Sequence, residues 1–439
     1  MIFNPKHIDK IKLPSGWKLE LLGNYSNIVT SFKTFQKIKD EYEKNNNGLP
    51  IHYLKVSDMN LEGNKIFFLN SNNTFYSGVK KNLDKGFLKP NSLVFPKRGA
   101  AIATNKKRIT STYSVLDPNL IGVEPNYEIE INFLYLFFEL FDLKWLQDNN
   151  VIPQLNKHNV AGVNFPLPPL PEQRKIAYVL STVQKAIEQQ DKLIRHTTEL
   201  KKALMQKLFT EGLRGEKQKQ TEIGFIPESW EVIELGDICA RVSVNVQPNP
   251  NGEKPYVGLE HIVPGQIYLT SRGKESDVVS SKAEFKKGEI LYGKLRPYLD
   301  KAAIAHFDGI SSTDILIFIG KNEVQNDFLI HFFHTESFID FAKSTTTGVQ
   351  HPRTSWSSLK KLKLALPPKS ERKLIAQTLN LFEDKLSFLQ KKKQTLSSLF
   401  KTLLHELMTG ERRVNEIEFE ASGKEYNIKE QPLILAAEK

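Results

Sequence analysis

Two basic stretches carry the residues most able to do chemistry. "FPKRGAAIATNKKRIT" (Phe95–Thr110) sets Lys97, Arg98, Lys106, Lys107 and Arg108 around a Gly-Ala turn, and "YGKLRPYLDKAAIA" (Tyr292–Ala305) supplies Lys294, Arg296 and Lys301. A second group follows each: Gln154, Lys157 and His158 after the first, Gln350, His351 and Arg353 after the second. These side chains recognise rather than break bonds. A guanidinium takes guanine in a two-pronged fork, Gln or Asn takes adenine, and a Lys ammonium holds phosphate. A solvated charged loop is the competing reading for any one residue, but two sets at comparable positions favour the set. The candidate DNA-binding residues are therefore Lys97, Arg98, Lys106, Lys107, Arg108, Gln154, Lys157, Lys294, Arg296 and Arg353.

Bond-making chemistry is absent from the motifs. The chain has no Gly-x4-Gly-Lys-Ser/Thr phosphate loop, no GxGxxG turn, no Asn/Asp-Pro-Pro-aromatic tetrapeptide and no Pro-Asp…Glu-x-Lys nuclease set. "HELMT" (His405–Thr409) has Thr409 where a zinc protease needs its second His. "HFFHTE" (His331–Glu336) offers two imidazoles without a third ligand, and one cysteine, Cys239, excludes an internal disulfide or a Cys-cluster zinc site. The expectation is a non-enzymatic chain with no catalytic residue and no metal.

Charge points the same way. The 439 residues carry a net +11, and Asn415–Lys439 alone has six Glu against three Lys, so residues 1–414 hold +14. Such a surplus suits a polyanion, because neutralising phosphates releases condensed counterions. The most apolar run, "FLYLFFELF" (Phe133–Phe141), is too short to cross a bilayer, and "MIFNPKHIDK" lacks a signal peptide's apolar stretch. A cytoplasmic protein is expected.

The elements that must position these loops occur twice. "PLPPLPEQRKIA" (Pro166–Ala177) and "LALPPKSERKLIA" (Leu364–Ala376) each read as a proline arm turning into a helix, with Glu172 and Glu371 at the same place 199 residues apart. Upstream, "LPSGWKLELLGN" (Leu13–Asn24) resembles "IPESWEVIELGD" (Ile226–Asp237) at an offset of 213, each with Pro, then Trp, then Leu-Gly. Between these ends lie mixed residues with short β-type runs such as "SLVFP" and "ILIFI".

Each arm leads into a polar helix of about forty residues, roughly 60 Å long, expected to begin at Glu172 or Glu371. Ile176, Leu180, Val183, Ile187, Leu204 and Leu208 make one apolar stripe; Ile375, Leu379, Phe382, Leu386, Leu403 and Leu407 make the other. The 4-3 spacing is that of a coiled-coil seam. Its polar exceptions, Gln190, Thr197, Lys201 and Lys393, sit near the middle, so antiparallel helices would grip at their ends and stay wetter at the centre. Each stripe could instead pack on its own globular unit. The expected architecture is α+β: two mixed α/β domains in pseudo-two-fold arrangement, separated by an antiparallel coiled coil. The expected boundaries are 1–165 and 216–363 for the domains, 166–215 and 364–412 for the arms and helices, and 413–439 for the acidic tail.

The two arm-to-helix junctions, with "LKKALMQKLFTEGLRG", "LFKTLLHELMTGERR", "YVGLEHI", "ILYGKLRPYLDKAAIAHFDGISSTDIL", "YLKVSDM" and "PKRGAAIAT", resemble the specificity subunit of type I restriction-modification systems over almost the whole chain. The resemblance implies two target recognition domains, each reading half of a split sequence in double-stranded DNA. It implies helices that set the spacer, near one turn of roughly 34–36 Å, and dock two modification subunits. Those partners would bind S-adenosylmethionine and methylate adenine, and a motor-nuclease subunit using ATP and Mg would complete the complex. The second junction departs from the family pattern, with Lys369, Ser370 and Arg372 in place of Leu170, Pro171 and Gln173. A protein-binding coiled-coil scaffold that reads no DNA is the alternative.

Overall fold

A computed structural model describes residues 12–31, 35, 36, 38, 49–77, 87–140 and 142–414. The acidic tail from residue 415 onward lies outside them. The chain divides into two compact units, Met1–Glu188 with Gln394–Lys439, and Gln189–Lys393. Both long helices contribute to each unit.

The repeat that is faint in the middle of the sequence is plain in the strands. In the first unit Ser26–Val29, Leu120–Pro125, Leu93–Pro96 and Arg108–Thr110 lie side by side in that order. In the second, Cys239–Val242, Ile315–Gly320, Ile290–Gly293 and Ala302–Ile304 take the same order. A second sheet accompanies each, of three strands in the first unit and five in the second, containing one parallel pair in which Tyr53 faces Val115 or Tyr256 faces Ile310. Phe133–Glu139 of the apolar run lies in the helix Ile131–Glu139, whose Phe133, Leu134, Phe137 and Phe138 are wholly buried in the first core. No helix of the described residues is long and apolar enough to cross a membrane.

Each unit is closed by a strand near the start of its lobe. Lys18–Leu21 pairs antiparallel with Asn164–Leu167, and Glu231–Glu234 with Lys363–Leu366, so the start of the lobe lies against the strand that enters the proline arm. The Leu-Gly that follows turns into the body of the lobe. Leu22 and Leu235 are fully buried, and a Cβ on Gly23 or Gly236 would stand 2.9 Å from Ala161 or 3.2 Å from Lys360. Only a glycine lets the two backbones come so close.

The tryptophan explains the rest of the motif. Trp17 Nε1 donates to Glu172 Oε2 at 3.0 Å, and Trp230 Nε1 to Glu371 Oε2 at 3.2 Å. The glutamate at the head of each helix therefore holds the lobe's first residues. It also holds the end of the other helix. Arg413 clamps Glu172 through Nε and Nη2 at 2.7 and 2.9 Å, while the Leu213 backbone N–H donates to Glu371 Oε1 at 2.7 Å. Gly410 and Gly212, at φ 76 and 70, end the helices there in the left-handed region. Gln173 sews the arm in place, donating to the Glu128 and Pro168 carbonyls and accepting from the Glu130 N–H, each at 2.9 Å. Arg372, the residue that departs from the pattern, donates to the equivalent Pro367 carbonyl at 2.9 Å.

The long helices run Leu170–Thr210 and Lys369–Thr409, 41 residues each. Both start two residues earlier than expected; in the first, Pro171 in the first turn forfeits no helical hydrogen bond. Ile176, Leu180, Leu208, Ile375, Leu379, Leu386, Leu403 and Leu407 are buried, and Val183, Ile187, Leu204 and Phe382 half-buried. In the first unit Ile176, Ala177 and Leu180 share a core with Leu403, Leu404, Leu407 and Met408. In the second, Met205 and Leu208 share one with Ile375, Ala376 and Leu379. Beginnings meet ends, as antiparallel pairing requires.

The centre of the seam is dry, contrary to expectation. Gln190, Thr197 and Lys201 are only 6, 7 and 6% exposed. Lys201 can be buried because Glu383, itself 6% exposed, pairs with it. Lys393 stays at the edge, 2.6 Å from Asp191. Next to this polar centre the fully buried His331 holds Asn380 through Nε2 at 2.8 Å. Burial pushes its imidazole down to about 3, with Lys201 and His334 adding to the effect against the Asn380 bond.

Glu172→Ala leaves the Trp17 N–H and the Arg413 guanidinium without their acceptor. A loss of about 2–3 kcal/mol in urea unfolding of the first unit is expected, and an unchanged midpoint would contradict the role of the carboxylate. His331 sets a pH dependence. The unfolded chain takes up its proton near 6.5 and the folded one only near 3. Stability is therefore whole above pH 6.5 and falls as the pH drops towards 3, by at most about 1.4 kcal/mol per pH unit from this group. Melting of His331→Gln should show a shallower acid slope than the parent; parallel slopes would refute the assignment.

Candidate nucleic-acid interface

The turn between strands Leu93–Pro96 and Arg108–Thr110 is bent by Gly99, at φ 62, and its backbone reaches across to the segment before the first long helix. Arg98 forms an isolated antiparallel bridge with Gln154, the Leu155 N–H donates to the Lys97 carbonyl at 2.8 Å, and Gly99 donates to Pro153 at 2.9 Å. Asp148 tightens the second segment by accepting from the Gln154 N–H at 3.0 Å and from Asn156 at 3.2 Å. The two groups of candidate residues thus form one surface. Arg98, Lys157 and His158 are exposed on it, and Gln154 half-buried.

Positive charge is gathered on this surface. Lys97 is buried, and burial first, then Arg98 and Lys157, push its ammonium down from the ordinary value. Gathered cations repel one another, and a polyanion relieves that repulsion.

The second lobe repeats the construction. Leu295 bridges Arg353 in the position of Arg98 and Gln154, with the Arg296 N–H donating to Pro352 at 2.8 Å and the Thr354 N–H to Lys294 at 3.1 Å. Arg296 and Asp300 adopt left-handed backbones at φ 51 on either side of Pro297–Leu299. Few non-glycine residues sit there without a surrounding that holds them. His334 supplies it, its Nδ1 2.6 Å from Asp300 and its Nε2 3.2 Å from the Ala302 carbonyl. Arg296, Gln350 and His351 are exposed, Lys294 is half-buried, and Lys301 Nζ is spent on the Leu259 carbonyl at 2.5 Å.

Four candidates have partners within their own lobe. Lys107 is fully buried, 3.9 Å from Glu139, and burial lowers its pKa. The Arg108 guanidinium donates to the backbone carbonyls of Asn64, Lys107 and Met59, so both side chains pin the turn from inside. Lys106, half-buried, is hydrogen-bonded to Asn60. Arg353 gives its fork to Asp314, at 2.8 and 3.2 Å, which draws that carboxyl below its ordinary range. The fork of this DNA-binding candidate is thus engaged by a carboxylate of its own lobe.

Sequence reasoning missed the loop tips. Val151, Ile152 and Val349 are 103, 68 and 100% exposed, and nothing in their residue type announced it. The imidazoles of His331 and His334 are hydrogen-bonded inside the second unit, and no cluster of three metal-ligating side chains occurs among the described residues. Cys239 begins a strand, buried, its thiol pushed up to about 12 by that burial.

Comparison with known proteins identifies this arrangement. Residues 14–195 and 227–398 each match the model of the type I restriction modification DNA specificity domain. The chain is 26% identical to the type I restriction enzyme MjaVIII specificity subunit of Methanocaldococcus jannaschii, over 95% of this chain and 97% of that one. It is 25% identical to the EcoDI specificity subunit of Escherichia coli, over 59 and 62%. The fold is similar to the crystal structure of a type I system S subunit from M. genitalium, with a TM-score of 0.55 and 14% identity over 91% of this chain and 98% of that one. A second solved chain, from work on complex assembly and conformational transition of the type I system, gives a TM-score of 0.53 at 15% identity over 91 and 100%. With two copies of the domain filling most of its length, the chain belongs to the DNA specificity subunits of type I restriction-modification systems, the non-catalytic members of those enzymes.

Proposed function

We propose that each lobe reads one half of a two-part target in duplex DNA, through the surface made where the basic turn meets the segment ahead of the long helix. One observation carries the proposal: the Arg98–Gln154 bridge of the first lobe recurs as the Leu295–Arg353 bridge of the second, so loops of the same topology present Arg98 and Lys157 in one lobe and, at neighbouring positions, Arg296 and Gln350 in the other. Arg98 and Arg296 are the base-reading candidates, and Lys97, Lys157 and Lys294 hold phosphate.

The paired helices set the separation of the two half-sites and dock two modification subunits in the cytoplasm. Those subunits bind S-adenosylmethionine and methylate adenine; a motor-nuclease subunit with ATP and Mg joins the full assembly. Lys107, Arg108 and Arg353 keep the reading loops in shape.

Binding of duplex DNA by the chain together with its modification subunits, measured over a range of salt, tests the reading. Arg98→Ala and Arg296→Ala should each weaken binding and lower the logarithmic salt slope by about one if the contact is to phosphate, or relax one base of one half-site by roughly 1–3 kcal/mol if it is to guanine. Lys107→Met should do neither. Unaltered affinity and selectivity in both arginine variants would overturn the assignment of these loops.

A further inference from the structure

The segment ahead of each long helix carries a closed tip of five residues. In the first lobe the Asp148 N–H donates to the Gln154 carbonyl at 2.9 Å, and the Gln154 N–H returns to the Asp148 carboxylate at 3.0 Å, enclosing residues 149–153. In the second, Thr347 and Arg353 exchange both backbone hydrogen bonds at 3.0 Å and enclose residues 348–352. The ends of the two tips lie 199 residues apart, as the helix starts do, and each tip finishes on a proline. The proline carbonyl ties its tip to the basic turn, taking the Gly99 N–H at 2.9 Å or the Arg296 N–H at 2.8 Å. Tip and turn are therefore one piece in each lobe.

The two tips share a frame and differ in side chains. The first reads Asn-Asn-Val-Ile-Pro and the second Gly-Val-Gln-His-Pro. All but the prolines are exposed, among them Val151 and Ile152 in one lobe and Val349 in the other. One exposed valine is ordinary. Here β-branched apolar side chains crown both copies of a loop fastened at either end, on turns that carry the exposed Arg98 and Arg296. A branched side chain has few rotamers, so little freedom is lost when it is gripped. The edges of the base pairs offer it one apolar group, the 5-methyl of thymine in the major groove.

We infer that Val151 and Ile152 in the first lobe, and Val349 in the second, enter the major groove and read thymine by its 5-methyl group. The inference rests on the proposed reading of DNA by these loops and deepens it, adding an apolar contact to the arginine and lysine contacts of each half-site.

A duplex carrying the target found by mapping methylated adenines, made with thymine or with deoxyuridine, loses only the methyl groups and tests the inference. Binding is measured by fluorescence anisotropy, with the chain in complex with its modification subunits. Uracil at a contacted thymine should weaken the parent about fourfold, the effect of one buried methyl. Val151→Ser with Ile152→Ser, at exposed positions, should bind the thymine duplex less tightly and no longer distinguish uracil in one half-site. Val349→Ser should do the same for the other half-site alone. A parent indifferent to uracil, or variants that keep its full sensitivity, would overturn the inference, while salt-dependent binding would leave the reading itself standing. Variants that lose modification subunit in native mass spectrometry, with uracil sensitivity intact, would assign the tips to protein contact and overturn it as well. Absence of duplex binding by the parent would overturn the reading and the inference together.

Discussion

A buried carboxylate at the head of each long helix is the constraint on which the rest depends. Glu172 joins Trp17, 155 residues before it, to Arg413, 241 residues after it. Glu371 joins Trp230, 141 residues before it, to Leu213, 158 residues before it. A single acidic side chain therefore fastens the entrance of a lobe, the start of one helix and the finish of the other. Taken out of water, a carboxylate is costly unless its lone pairs are filled. Here indole, guanidinium or backbone N–H groups fill them, so the site is stable only when all three segments are present together. That makes each unit a closed piece of machinery built from distant parts of the chain.

Between those latches the apolar seam supplies adhesion and the polar centre supplies choice. Leucine and isoleucine stripes can slide by a turn at little cost; a buried Lys201–Glu383 pair cannot, because a slip would strand both charges. The pair contributes little net stability by itself, and its value lies in register.

What could be read in the amino-acid sequence was whatever repeats or has a period. The seam residues, the arms and both helices were legible because apolar side chains at 4-3 spacing have one physical solution in water. The Trp and Leu-Gly motifs were visible as repeats but not as a latch and a close approach, since their partners lie far along the chain. The loops were legible as a set and not one by one. A lysine in a basic run looks the same whether its stem points out, as at Lys157, or into the core, as at Lys107. Arg353 could not be known as a clamp without Asp314, 39 residues away. The dry centre of the seam was misjudged for the same reason: Lys201 looked solvated because Glu383 was not recognised as its partner.

The central claim is that each lobe is a self-contained reader closed by its own carboxylate latch. Mapping of methylated adenines across a genome, in cells making this chain with its modification subunit, tests it most directly when residues 1–165 are exchanged for those of a related specificity subunit. The account predicts a two-part methylated sequence in which one half changes while the other half and the gap between them persist. A motif that changes in both halves together, or one with no division into halves, would contradict it.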